Sequence, residues 1–129
     1  MAGSETVLLT GATGYIGGRL LRRLEGQARH PLRCLTRRPA ALAARAAPET
    51  EVIAGDVLDP QSLAEAMRGV HTAYYLVHSM GSAGDFEELD RVAASNFSAA
   101  AGRAGVRRLV YLGGLGDGHR LSSHLASRQ

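Results

Sequence analysis

Continuous apolar runs alternate along the chain with segments whose apolar residues recur at helical spacing. Thr6 to Thr10 is a short apolar, β-branched run and predicts a buried strand. From Tyr15 to Glu25 the apolar residues Ile16, Leu20, Leu21 and Leu24 share one helical face. Leu32 to Thr36 follows the His30-Pro31 break and predicts a second strand. Pro39 to Ala47 is alanine-rich and predicts a helix. Val52 to Ala54 predicts a short third strand. Asp59-Pro60 supplies a cap and a first-turn proline, so a helix is expected from Pro60 to Arg68. Thr72 to Val77 is apolar throughout and predicts a fourth strand. Gly84-Asp85 opens a long helix ending near Gly105. Its expected apolar face is Phe86, Leu89, Ala93, Phe97, Ala100 and Ala104, and its alanines suggest close packing against a sheet. Arg107 to Gly113 predicts a fifth strand, followed by a glycine-rich loop and a polar tail.

The order is strand–helix, repeated four times and closed by a strand. Strands that are apolar on both faces and alternate with helices imply a parallel sheet covered on both sides. Right-handed crossovers then give a doubly wound α/β sheet of about five strands, in the order 3-2-1-4-5. No internal repeat and no linker marks a second domain, so residues 1–129 are expected to form one domain.

Composition narrows the classes. Apolar residues make up 45% and charged residues 21% of the 129, enough for one domain with a core. No apolar run approaches the roughly 18 residues of a membrane helix. The first residues lack the pattern of a secretory signal, and the single cysteine, Cys34, fits a reducing compartment. A cytoplasmic protein without a membrane partner is expected. Cys34 lies in an apolar strand and reads as a small buried side chain. The net charge of +3 comes from scattered arginines, while aromatics are only 5%. A nucleic-acid partner is therefore not expected.

The first strand runs into "TGATGYIGGRL". Gly11, Gly14 and Gly17 have the spacing G-x-x-G-x-x-G. Glycine is 16 of 129 residues, so the spacing alone is weak; its place between a strand and a helix carries the argument. Gly11 lets the chain turn out of the strand, Gly14 lets a pyrophosphate approach the backbone, and Gly17 lets the helix pack close to the strand. The helix N-terminus offers N–H groups to the phosphates, and Thr13 offers a hydroxyl. The alternative is a plain glycine turn.

This loop resembles the cofactor loop of the short-chain dehydrogenase/reductase superfamily. It is most similar to the atypical branch of NmrA-like and epimerase-like NAD(P)H-binding proteins. "GDVLDP" at 55–60, "AYYLVHSMG" at 73–81 and "AAGRAGVRRLVYLGGLG" at 100–116 carry the same resemblance. It implies a Rossmann-like fold and a dinucleotide site that includes Tyr15 and Ile16 beside the glycines. In that family the end of the second strand selects the cofactor. An acidic residue there would bond a ribose 2′-hydroxyl, but this chain has Thr36-Arg37-Arg38. Arg37 and Arg38 suit the 2′-phosphate of NADP(H) through forked hydrogen bonds; the alternative is solvated surface charge. The resemblance places Asp56 and Val57 at the adenine, with helix capping as the other role open to Asp56. It places Leu76, Val77 and His78 along the ribose and nicotinamide, with Ser79 and Met80 facing the same cleft. His78 is equally a structural hydrogen-bonder at a strand end.

Catalysis is where the chain departs from the family. Carbonyl-reducing members use a Ser and a Tyr-x-x-x-Lys. Gly113 and Gly114 stand at the serine's place, and "HLASR" offers His124 and Arg128 at i and i+4. His124 could act as an acid near neutral pH, and Arg128 could hold a ribose or phosphate. Ser122 or Ser123 could replace the hydroxyl. The alternative is a polar helix start. Tyr74 and Tyr75 read as packing residues, and no metal ligands are assigned.

The resemblance further implies another strand–helix unit and a substrate-binding part. The chain is thus expected to be the N-terminal part of a longer protein, with an exposed sheet edge able to self-associate. An NADP(H)-dependent oxidoreductase or epimerase-like enzyme acting on a small molecule is the leading expectation. A non-enzymatic NADP(H) sensor of the NmrA-like kind, or a structural subunit that keeps only the fold, is the alternative.

Overall fold

The structure, a computed structural model, describes residues 5–12, 14–27, 29–76 and 84–112. The elements are β1 (Thr6–Thr10), α1 (Tyr15–Gln27), β2 (Leu32–Thr36), α2 (Pro39–Ala43), β3 (Glu51–Ala54), α3 (Pro60–Ala66), β4 (Val70–Leu76), α4 (Gly84–Ala104) and β5 (Arg108–Leu112). The strands form one parallel sheet in the order β3-β2-β1-β4-β5. This is the expected doubly wound, Rossmann-like architecture. Its strand order reverses between β1 and β4, where crevices form at the carboxyl ends of the strands.

Alternate side chains of the central strands enter two cores, as a sheet covered on both faces requires. Val7 and Leu9 of β1 pack with Leu21 of α1, Leu32 and Cys34 of β2 and Leu42 of α2. Leu8 points the other way, to Leu63, Ala66 and Met67 at α3 and to Ala93, Phe97, Ala100 and Ala101 of α4. The small alanines bring α4 close to the sheet. Tyr75 fills this second core, its ring centroid 4.7 Å from Phe97 and 5.3 Å from Tyr111. Tyr74 packs partly buried against the first core. Both tyrosines of β4 thus pack, as the sequence suggests.

Several expected boundaries and faces move, each for a visible reason. The second helix stops at Ala43 rather than Ala47. Ala47 donates its N–H to Glu25 Oε2 at 2.8 Å instead of to the helix, and Pro48 disfavours a helical Ala47. The third helix ends at Ala66 rather than Arg68. Arg33 Nη1 donates to the carbonyls of Ala66 and Arg68, both at 2.7 Å, and Gly69 at φ +73° turns the chain into β4. That strand begins at Val70, two residues earlier than expected. On α4, Leu89 is 47% exposed and Ala104 is exposed, while Ala101 is buried. Ile16 is 52% exposed in the first turn of α1, beside the glycine loop, so it does not join the core face that Leu20, Leu21 and Leu24 form.

Candidate functional site: a basic cleft at the strand-order reversal

The site begins where β1 ends. Gly11 has φ +101°, a conformation that favours glycine. A Cβ there would collide with the carbonyl of Leu76 at the end of β4. Gly17 sits against the backbone of Gly11 and Ala12, with no room for a side chain. The two glycines therefore let the start of α1 close onto β1 and β4. Gly14 donates its N–H to the Gly11 carbonyl at 3.1 Å and accepts from Gly18 at 2.9 Å. The N–H groups of a helix's first turn have no acceptor one turn earlier, which suits this end to an anion.

A cleft of about 660 Å³ opens over this loop, within the roughly 300–1,000 Å³ of small-molecule and cofactor sites. Thr10, Gly11, Ala12 and Gly14 form its floor on one side of the strand-order reversal, and Leu76 lies on the other. Leu35 and Thr36 from β2 and Gly55, Val57 and Leu58 after β3 extend it. Leu89 and Ala93 of α4 close an apolar wall. Arg37, Arg38 and Arg45 line it as well, and no carboxylate does so among the described residues.

Local hydrogen bonds set these groups. Thr36 Oγ1 accepts the Arg38 N–H at 3.0 Å, which tightens the turn that presents Arg37 and Arg38. Pro39 then starts α2. Asp56 Oδ1 accepts the Leu58 N–H at 2.9 Å, and Asp59 Oδ1 accepts the Gln61 N–H at 3.1 Å. Asp59 is the N-cap of α3, while Asp56 shapes the loop before it. Asn96 of α4 donates to the Val57 carbonyl at 3.1 Å and holds that loop against the long helix. Thr10 lines the cleft, and its Oγ1 is buried with no hydrogen-bond partner among the described residues. A buried hydroxyl without a partner is unfavourable.

Of the residues expected at the site, Gly11, Gly14, Arg37, Arg38, Val57 and Leu76 line this one cleft. Gly17 stands behind the loop, and Asp56 is next to the lining residues Gly55 and Val57. Tyr15 and Ile16 open α1. Thr13, Val77, His78, Ser79, Met80, Gly113, Gly114, Ser122, Ser123, His124 and Arg128 lie outside the described residues, as do the side chains of Tyr15 and Phe86. Thr10, Arg45, Leu58 and Leu89 join the cleft without being singled out in the sequence. Arg45 left a faint signal, as a cation shortly after the Arg37-Arg38 pair.

The glycine backbone, the apolar residues and the three arginines that line the cleft fit a phosphate-bearing dinucleotide. Known proteins agree. A family described as NAD(P)H-binding matches residues 11–128. A (4-alkanoyl-5-oxo-2,5-dihydrofuran-3-yl)methyl phosphate reductase of Streptomyces griseus is 38% identical over 106 residues, covering 82% of this chain and 33% of that protein. A Rossmann-fold NAD(P)-binding protein of Shigella flexneri superposes with a TM-score of 0.74 at 27% identity, over 96% of this chain and 60% of its own. The triphenylmethane reductase of Citrobacter, solved with NADP(H), superposes at 0.68 with 31% identity, over 82% of this chain and 36% of its own. The chain spans about a third of the length of the curated relatives it matches.

Proposed function

The chain belongs to the NAD(P)H-binding family, and from that premise we propose that it is the NADP(H)-selective cofactor domain of an oxidoreductase. The observation that carries this reading is the convergence of Arg37 and Arg38 on the cleft over the glycine loop, with no carboxylate lining it among the described residues. A carboxylate at that point would repel a 2′-phosphate; two guanidiniums attract it.

The residues divide the work along the cleft. The first turn of α1 faces the pyrophosphate with its N–H groups and the positive end of its dipole. Arg37 and Arg38 hold the 2′-phosphate. Val57 packs on the adenine, and Asp56 accepts from its exocyclic amine with the carboxylate oxygen that Leu58 leaves open. Leu76, Val77 and His78 border the nicotinamide-side ribose. A bound nicotinamide supplies hydride chemistry to a carbonyl-type small molecule. His124 is the proposed proton donor, and Arg128 the proposed ribose or phosphate holder.

Calorimetric titration with NADPH and NADH tests the reading. One charge-assisted hydrogen bond is worth about 1.5–3 kcal/mol, so NADPH should bind roughly 10- to 150-fold more tightly. Arg37→Ala and Arg38→Ala should each erode that preference and leave NADH binding in place. Equal affinities in a folded chain would overturn the NADP(H) assignment. NADPH oxidation by the protein with a panel of carbonyls and quinones tests the oxidoreductase part. Gly113 and Gly114 at the family's serine position favour a second reading, a sensor without turnover. A sensor would bind NADP+ and NADPH unequally and turn over neither.

A further inference from the structure

We propose that Arg45 is a third specificity-determining cation of the cleft, one that selects for the 2′-phosphate of NADP(H). The inference rests on the NADP(H) reading above and deepens it. Arg45 is distant in sequence from the glycine loop, yet it lines the same cleft as Arg37 and Arg38. Thr36, Arg37, Arg38, Ala41 and Arg45 all line that cleft, from the end of β2, α2 and the turn after it.

The backbone that carries Arg45 is fixed on both sides. Its own N–H donates to the Leu42 carbonyl at 2.9 Å, and the Leu42 side chain is locked in the first core at 1% exposure. Two residues later, Ala47 donates to Glu25 Oε2 at 2.8 Å, and the Thr50 hydroxyl donates to the same oxygen at 2.6 Å. Arg45 therefore stands on a short segment pinned to the α1 side of the fold. A cation on a pinned backbone loses less entropy on meeting an anion than one on a free loop.

The chemistry calls for such a group. A phosphomonoester carries a charge of about −1.5 to −2 near neutral pH and three terminal acceptor oxygens. One guanidinium fork occupies two acceptors at most. The 2′-phosphate thus has acceptor capacity beyond a single arginine, whereas a 2′-hydroxyl has no charge for Arg45 to meet.

The test uses the full chain and four ligands: NADPH, NADH, 2′,5′-ADP and 5′-ADP. Arg45→Ala should weaken NADPH and 2′,5′-ADP by about tenfold and leave NADH and 5′-ADP unchanged. Arg45→Lys should recover part of the loss, since it keeps the charge but not the fork. Circular dichroism and a thermal melt matching the parent chain would show that Arg45→Ala is folded. If Arg45→Ala binds 2′,5′-ADP as the parent does while Arg37→Ala does not, the role of Arg45 is overturned and the NADP(H) reading stands. If the parent chain itself does not prefer 2′,5′-ADP to 5′-ADP, the NADP(H) reading fails and this inference fails with it.

Discussion

Gly11 and Cys34 show how single positions are committed to opposite tasks. Gly11 combines φ +101° with a collision course between any Cβ and the Leu76 carbonyl, so the turn out of β1 tolerates no side chain. Cys34 faces the first core, and burial, followed by the charge of Glu25, pushes its thiol up to about 12. The folded thiol keeps its proton well above pH 9.0, where an unfolded thiol would release it. The stability from this group is complete below pH 9.0 and is lost as pH rises toward 12. The loss approaches about 1.4 kcal/mol per pH unit in that window. Urea melts below and above pH 9.0 should therefore show a steeper alkaline decline for the parent than for Cys34→Ala. The native thiol should also resist alkylation until the chain unfolds, because a protonated, buried sulfur is a poor nucleophile.

Elements are where sequence and structure part company, and the reason is range. The strands and helices are legible because each carries its own period: β1 is a continuous apolar run, β2 and β4 are mostly apolar, and α1 and α3 have their apolar spacing or cap. The ends of α2 and α3 are not legible, because distant residues decide them. Glu25 takes the Ala47 N–H from 22 positions away, and Arg33 takes the Ala66 and Arg68 carbonyls from 33 and 35 away. Arg33 also donates to Glu51 at 2.9 Å, and its side chain is only 16% exposed. It therefore ties β2, β3 and the end of α3 together, a cation placed at the negative end of a helix. Arg33→Met keeps the stem and removes the donors. It should destabilise the fold by about 1.5–3 kcal/mol in denaturant unfolding, and leave NADPH affinity unchanged, since Arg33 does not line the cleft. The site divides the same way. The glycine loop and the Arg37-Arg38 pair announce themselves in a local pattern. Thr10, Leu58, Leu89 and Arg45 reach the cleft only through the packing of β1, α2, α4 and the loop after β3, which no short window records.

For the whole molecule, one topological fact organises the chemistry. The sheet order reverses between β1 and β4, and the cleft opens there, with glycine backbone below, α4 on one wall and arginines on either side of α2. Structural cations such as Arg33 belong to the packing of strands and helix ends, while Arg37, Arg38 and Arg45 line the cleft. The most direct test of this division is the amide spectrum of the ¹⁵N-labelled chain, recorded as NADPH is added. Saturable shifts are predicted at Gly14, Gly17, Thr36, Arg38, Val57 and Leu76, with Arg33, Arg68 and Arg108 unmoved. A folded chain whose cleft amides stay still, or whose shifts centre on Arg33, Arg68 and Arg108 instead, would contradict the assignment of the cofactor to this cleft.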